Sequence, residues 1–154
     1  MDLKELKNKY GAFRDKYGLP NFEEINSIFD IEKIDEESEQ LLKVIRKVMM
    51  DKIINFLGFL EMLNNPANAP KIYYQFFSSM TSEDKKRIDE LYFLFGKLNL
   101  SMLIHEVEYS EEKEAKSIIE AYNKWKDSSK TIIDLLNSIM NPKNVEKKSR
   151  NYLG

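Results

Sequence analysis

A chain of 154 residues has the size of one ordinary domain, and with 42% hydrophobic and 32% charged residues it carries enough apolar surface to offset chain entropy. The absence of cysteine excludes disulfides, thiolate zinc sites and cysteine nucleophiles, and it permits a reducing compartment. A formal charge of −2 argues against a nucleic-acid partner, because non-specific affinity comes mainly from neutralised phosphates.

The chain opens on Met1-Asp2-Leu3-Lys4-Glu5, which alternates charge with leucine, so no secretory leader is expected. Leu3, Leu6, Tyr10, Phe13 and Tyr17 then recur at steps of three or four, one stripe of a short helix ended by Gly18 and Pro20. Asn21-x-x-Glu24 has the form of a capping box and starts a brief helix carrying Phe22, Ile25, Ile28 and Phe29. An acidic stretch follows, with Asp30, Glu32, Asp35, Glu36, Glu37 and Glu39. These acids are expected to sit against the positive end of the next helix dipole.

That next helix is long. Leu42, Ile45, Met49, Ile53, Phe56, Leu60 and Leu63 keep helical step until Asn64-Asn65-Pro66, where the prolyl ring stops the run. Ile72-Tyr73-Tyr74-Gln75-Phe76-Phe77 reads as a short helix rich in rings. Thr81-Ser82-Glu83-Asp84 is an N-terminal cap for a second long helix. Its stripe is Ile88, Leu91, Phe95, Leu98, Met102, His105 and Tyr109, and Phe93, Leu100, Ile104 and Val107 add a second apolar face, so burial on two sides is expected.

Continuing that stripe beyond Tyr109 would reach Glu112, Lys116, Asn123 and Lys126, all polar, so the helix must break. Ser110 is the cap for a third long helix with Ala115, Ile118, Tyr122, Trp125, Ser129, Ile132, Leu136 and Ile139 on one stripe, ended by Asn141-Pro142. So short a connection makes the second and third long helices antiparallel neighbours. The expected fold is all-α: an antiparallel bundle of three long helices, each roughly 40 Å long, with short N-terminal and connecting helices around it. Residues 1–142 form one domain in this reading, and 143–154, with Lys143, Lys147, Lys148 and Arg150, form a basic flexible tail. No window reaches the roughly 18 apolar residues of a membrane span, and a cytoplasmic location is expected.

The stretch Phe13-Arg14-Asp15-Lys16-Tyr17-Gly18-Leu19-Pro20, with Phe22-Glu23-Glu24, resembles the N-terminal part of an uncharacterised archaeal family of small helical proteins. The resemblance implies the all-helical fold, with no activity or site to carry over.

Chemistry-bearing residues are few. His105 is the sole histidine and position 102 is methionine, so the Glu-x-x-His pairs of di-iron bundles are absent. His105 with Glu106 and Glu108 is the one polar cluster worth following, and a structural role for the histidine is the simpler account. Glu36/Glu39, Glu108/Glu111 and Glu111/Glu114 have the Glu-x-x-Glu spacing that can hold magnesium between facing helices, but helix-start acids produce the same pattern. No phosphate loop, nucleophile elbow or paired-histidine motif occurs; no catalytic, metal or cofactor site is assigned. Gly58 and Gly96, inside helices, are expected to mark tight helix crossings. Tyr73, Tyr74, Phe76 and Phe77 place rings on more than one side of a short helix, to be covered by the long helices, by a second copy, or by a ligand.

These features suggest a non-catalytic protein–protein interaction module, self-associating or binding another protein. Tyr73, Tyr74, Phe76, Phe77, Phe93 and Leu100 are its candidate surface. The alternative is a small ligand-binding or metal-dependent enzyme bundle with a pocket between helices.

Overall fold

The computed structural model describes residues 1–35 and 38–141. Glu36 and Glu37 of the acidic stretch, Pro142 and the Lys143–Gly154 tail lie outside the described residues.

Helix α1, Leu3–Tyr17, starts where the Asp2 carboxylate accepts the Glu5 N–H at 2.8 Å. It ends at Gly18, whose φ of 71° is the left-handed cap that favours glycine. Helix α2, Phe22–Phe29, has the predicted capping box, with the Asn21 N–H donating to the Glu24 carboxylate at 3.4 Å. Asp30 closes α2 in the left-handed region, and a 3₁₀ turn over Ile31–Lys33 follows.

Helix α3 covers Leu41–Asn64 and has no acid in its first turn. Of the acidic stretch, Glu39 stands just before the α3 cap residue Gln40, and the acids nearer α2 are engaged there. Asp30 is used to terminate α2, and the Asn26 side chain accepts the Glu32 N–H at 2.8 Å, which holds that part of the stretch in its own turn. Two 3₁₀ turns, Pro66–Asn68 and Lys71–Tyr73, lead into the single turn α4, Tyr74–Phe77.

Helix α5, Ser82–Val107, opens on a reciprocal box: the Asp84 N–H donates to Thr81 Oγ1 and the Thr81 N–H donates to the Asp84 carboxylate. It stops two residues before Tyr109, which lies in the connection rather than on the stripe predicted for it. Ser110 caps α6, Glu111–Met140, as expected, accepting the Lys113 N–H.

The three long helices, of 24, 26 and 30 residues, pack against one another as the bundle's centre. Cross-helix pairs set their directions. Arg46 meets Glu106 and Phe56 meets Phe95, so α3 and α5 are antiparallel. His105 meets Ser117 and Asp84 meets Ser138, so α5 and α6 are antiparallel as well. Helices α3 and α6 therefore run parallel, with Arg46 on Glu114 and Phe56 on Trp125.

The predicted stripes form the core: Leu42, Ile45, Met49 and Ile53 from α3, Ile88, Leu91, Phe95 and Leu98 from α5, and Ala115, Ile118 and Tyr122 from α6 are all buried. Each large aliphatic side chain removed from water contributes about 1.5–3 kcal/mol. Helices α1 and α2 close one side, where Tyr10 packs edge-on against Phe22 and donates its hydroxyl to the Pro20 carbonyl. Trp125 is half-buried among Phe29, Phe56 and Phe95, with the Lys52 ammonium 5.4 Å from its ring. Among the described residues no helix is long and apolar enough to cross a membrane.

Candidate functional site: an open helix face above a buried ion-pair network

Helix α5 presents its two apolar faces to different surroundings. The inner stripe is covered by α3 and α6, but the second face is open, contrary to the expected burial on two sides. Phe93 is 75% exposed, Leu100 66%, Ile104 64% and Val107 89%. The reason is geometric: α3 and α6 both lie against the inner stripe, and the short N-terminal helices pack elsewhere on the bundle. With Gly96 and the half-exposed Leu103, these residues run Phe93, Gly96, Leu100, Leu103, Val107, at steps of three, four, three and four. That is the seam along which a further helix packs knobs into holes.

Two grooves flank this ridge. One, of about 560 Å³, lies between α3 and α5; Ile54, Gly58, Tyr92, Gly96 and Asn99 line it. The other, of about 480 Å³, lies between α5 and α6 and is lined by Glu90, Leu94, Lys97, Glu120 and Lys124. Both glycines thus face a groove and not a neighbouring helix: a Cβ built on Gly58 or Gly96 meets nothing within 4 Å. The expected tight crossings are absent, and the missing side chains deepen a surface channel instead.

The aromatic segment divides. Phe76 and Phe77 pack against the core, whereas Tyr73 and Tyr74 stay exposed, Tyr73 stacking on Phe77 at 6.3 Å. This segment precedes the first turn of α5, and His105 sits near its last, roughly 35 Å away at 1.5 Å per residue. The two candidate sites are therefore separate.

Around His105 the polar residues are tied into structure. His105 Nε2 lies 2.6 Å from the Ser117 hydroxyl, and its Nδ1 is buried without a partner among the described residues. Glu106 turns to Arg46, and Glu108 reaches Lys113 at 3.4 Å. At the centre of this region stands Arg46, which no motif in the sequence marks. The Arg46 side chain, fully buried, donates to Glu114 at 2.6 Å and to Glu106 at 2.5 Å, joining α3, α6 and α5 through one guanidinium. The fork also satisfies part of Glu114, which is itself fully buried and keeps one oxygen without a partner among the described residues. Its Arg46 bond holds the Glu106 carboxyl below the usual carboxylate range, with Lys47 and Lys43 adding to the effect.

The Glu111/Glu114 pair does not converge on a cation site. Glu111 faces outward to Lys16 at 2.7 Å and to the Tyr17 hydroxyl, while Glu114 turns inward to Arg46. Among the described residues no group of three or more histidine or acidic side chains is gathered to hold a metal ion. At the opposite end of α5, buried Asp84 accepts from Thr81 and from Ser138 at 3.0 Å. Burial raises its pKa, but these bonds and nearby Arg87 overcome that and leave it below the usual range.

A signal for these buried ions was present in the sequence. Arg46 stands four residues after Leu42 and three before Met49, Glu114 four before Ile118, and Asp84 four before Ile88, so each lies in register with an apolar stripe.

Comparison of this chain with protein-family models, with curated proteins and with solved structures found no match.

Proposed function

We propose that this protein is a non-catalytic interaction module whose binding face is the open side of α5, and that it takes a helical partner along that face. The single observation that carries the reading is the exposed row Phe93, Leu100, Leu103, Val107 at coiled-coil spacing. Exposed apolar residues scattered singly are ordinary on protein surfaces. A continuous seam set at the period of a packed helix is not. The polar groups that could have served catalysis are engaged instead in joining helices, Arg46 with Glu106 and Glu114, and Asp84 with Ser138. Tyr73 and Tyr74 form a smaller, separate exposed patch and are not needed for this reading.

The test is site-specific photo-crosslinking from position 103 in the cells that make the protein. The expected result is a covalent adduct that disappears when Leu100→Glu is added, with circular dichroism unchanged. Absence of any adduct, or an adduct indifferent to Leu100→Glu, overturns the proposal.

A further inference from the structure

Resting on the binding face just proposed, we infer that its occupant is a second copy of this chain, docked α5 against α5 about a two-fold axis. A two-fold interface lays one patch against itself, so the patch must hold both the projections and the hollows that receive them. This one does. The ridge carries Phe93 and Leu100, and the hollow beside it is floored by Gly58 and Gly96, with open space where a Cβ would stand. Antiparallel pairing of the seam sets Leu100 against the glycine hollow and Phe93 against Leu103 of the partner subunit. Leu100 of one copy seats over Gly96 of the partner subunit, and the reciprocal contact forms by symmetry.

Charge and area agree with this occupant. Glu61, Glu90 and Glu120 rim the grooves together with Lys97 and Lys124. A rim of one sign would repel its own image; a rim of both signs can be offset to pair. The exposed parts of Phe93, Leu100, Leu103, Ile104, Val107 and Ile54 offer on the order of 600 Å² per copy, taking roughly 150–250 Å² for a fully exposed large side chain. Common specific interfaces bury about 800 Å² per partner, and the polar rim would supply the remainder. Asn99, whose buried Oδ1 has no hydrogen-bond partner within the described residues, lines the same groove, one residue from the axis this pairing implies. A polar residue at such a point commonly fixes register in paired helices.

Sedimentation velocity of the purified full chain tests the inference. The wild type should show a concentration-dependent dimer, and Leu100→Glu should weaken association by at least about tenfold, because it places a carboxylate in the apolar contact. Circular dichroism and melting of Leu100→Glu should match the monomeric wild type, since the site is exposed in the single chain. Ile133→Glu, exposed on α6, serves as a control and should leave the dimer intact. A wild type that stays monomeric at high micromolar concentration overturns the second copy as occupant, and so does a dimer that Leu100→Glu leaves unchanged. The crosslinking above separates the two levels. An adduct of mass other than twice the chain, lost in Leu100→Glu, would refute self-pairing and leave the interaction module standing; no adduct together with a monomer would refute both.

Discussion

Arg46, on α3, ties α5 and α6 to its own helix. It is fully buried and holds two carboxylates, one of them equally buried. Removing one member of a buried pair leaves an uncompensated charge, a loss of about 3–5 kcal/mol. Arg46→Ala should therefore lower the urea-unfolding free energy by about that amount. The double variant Arg46→Met/Glu114→Leu removes both buried charges and should recover most of it, because apolar groups of similar volume often replace a buried pair without loss. A double variant as unstable as the single would show that packing, not charge, accounts for the effect. These ions were legible only in outline. Helical phase placed positions 46, 84 and 114 on the core side, but phase does not reveal which distant residue answers a buried charge. Arg46 and Glu114 are 68 residues apart and meet only because α3 and α6 run parallel.

At the level of the helices, boundaries were the most legible feature. Ser110 and Thr81 cap where their side chains can accept backbone N–H groups, and Gly18 ends α1 where a left-handed turn is needed. The two-sided character of α5 was also readable, as Phe93, Leu100, Ile104 and Val107. What covers that second side was not, since apolar spacing marks a face as fit for burial without naming the surface that meets it. The role of Gly58 and Gly96 was misjudged for the same reason: a helical glycine fits a close crossing and an open channel equally well. With space for a methyl and ordinary helical backbone, Gly96→Ala should raise the unfolding free energy of the single chain by up to about 1 kcal/mol, measured in urea. The same methyl would occupy the hollow offered to a second copy, so self-association should weaken as monomer stability rises.

For the molecule as a whole, the carboxylates decide how stability responds to acid. Glu106, held by Arg46, titrates below its ordinary value of 4.5, and Asp84, despite the opposing effect of burial, titrates below 3.8. A carboxyl whose folded pKa is depressed stabilises the native state above the unfolded value, and that contribution is lost as pH falls through the folded one. The melting temperature should therefore be level near neutrality and should begin to fall below about pH 4.5. In Glu106→Gln the fall should be shallower; an identical profile would show that Glu106 is uncoupled from folding. Arg46 also bears on the turn that joins α5 to α6. The acids it holds, Glu106 and Glu114, stand on either side of the turn between α5 and α6, so a single cation clasps both helices of that hairpin from outside it. The alignment of the two helices is thus braced by this fork as well as by His105 on Ser117 and Asp84 on Ser138, all at points outside the bend. A bend lengthened ahead of the Ser110 cap is therefore expected to leave the hairpin in register.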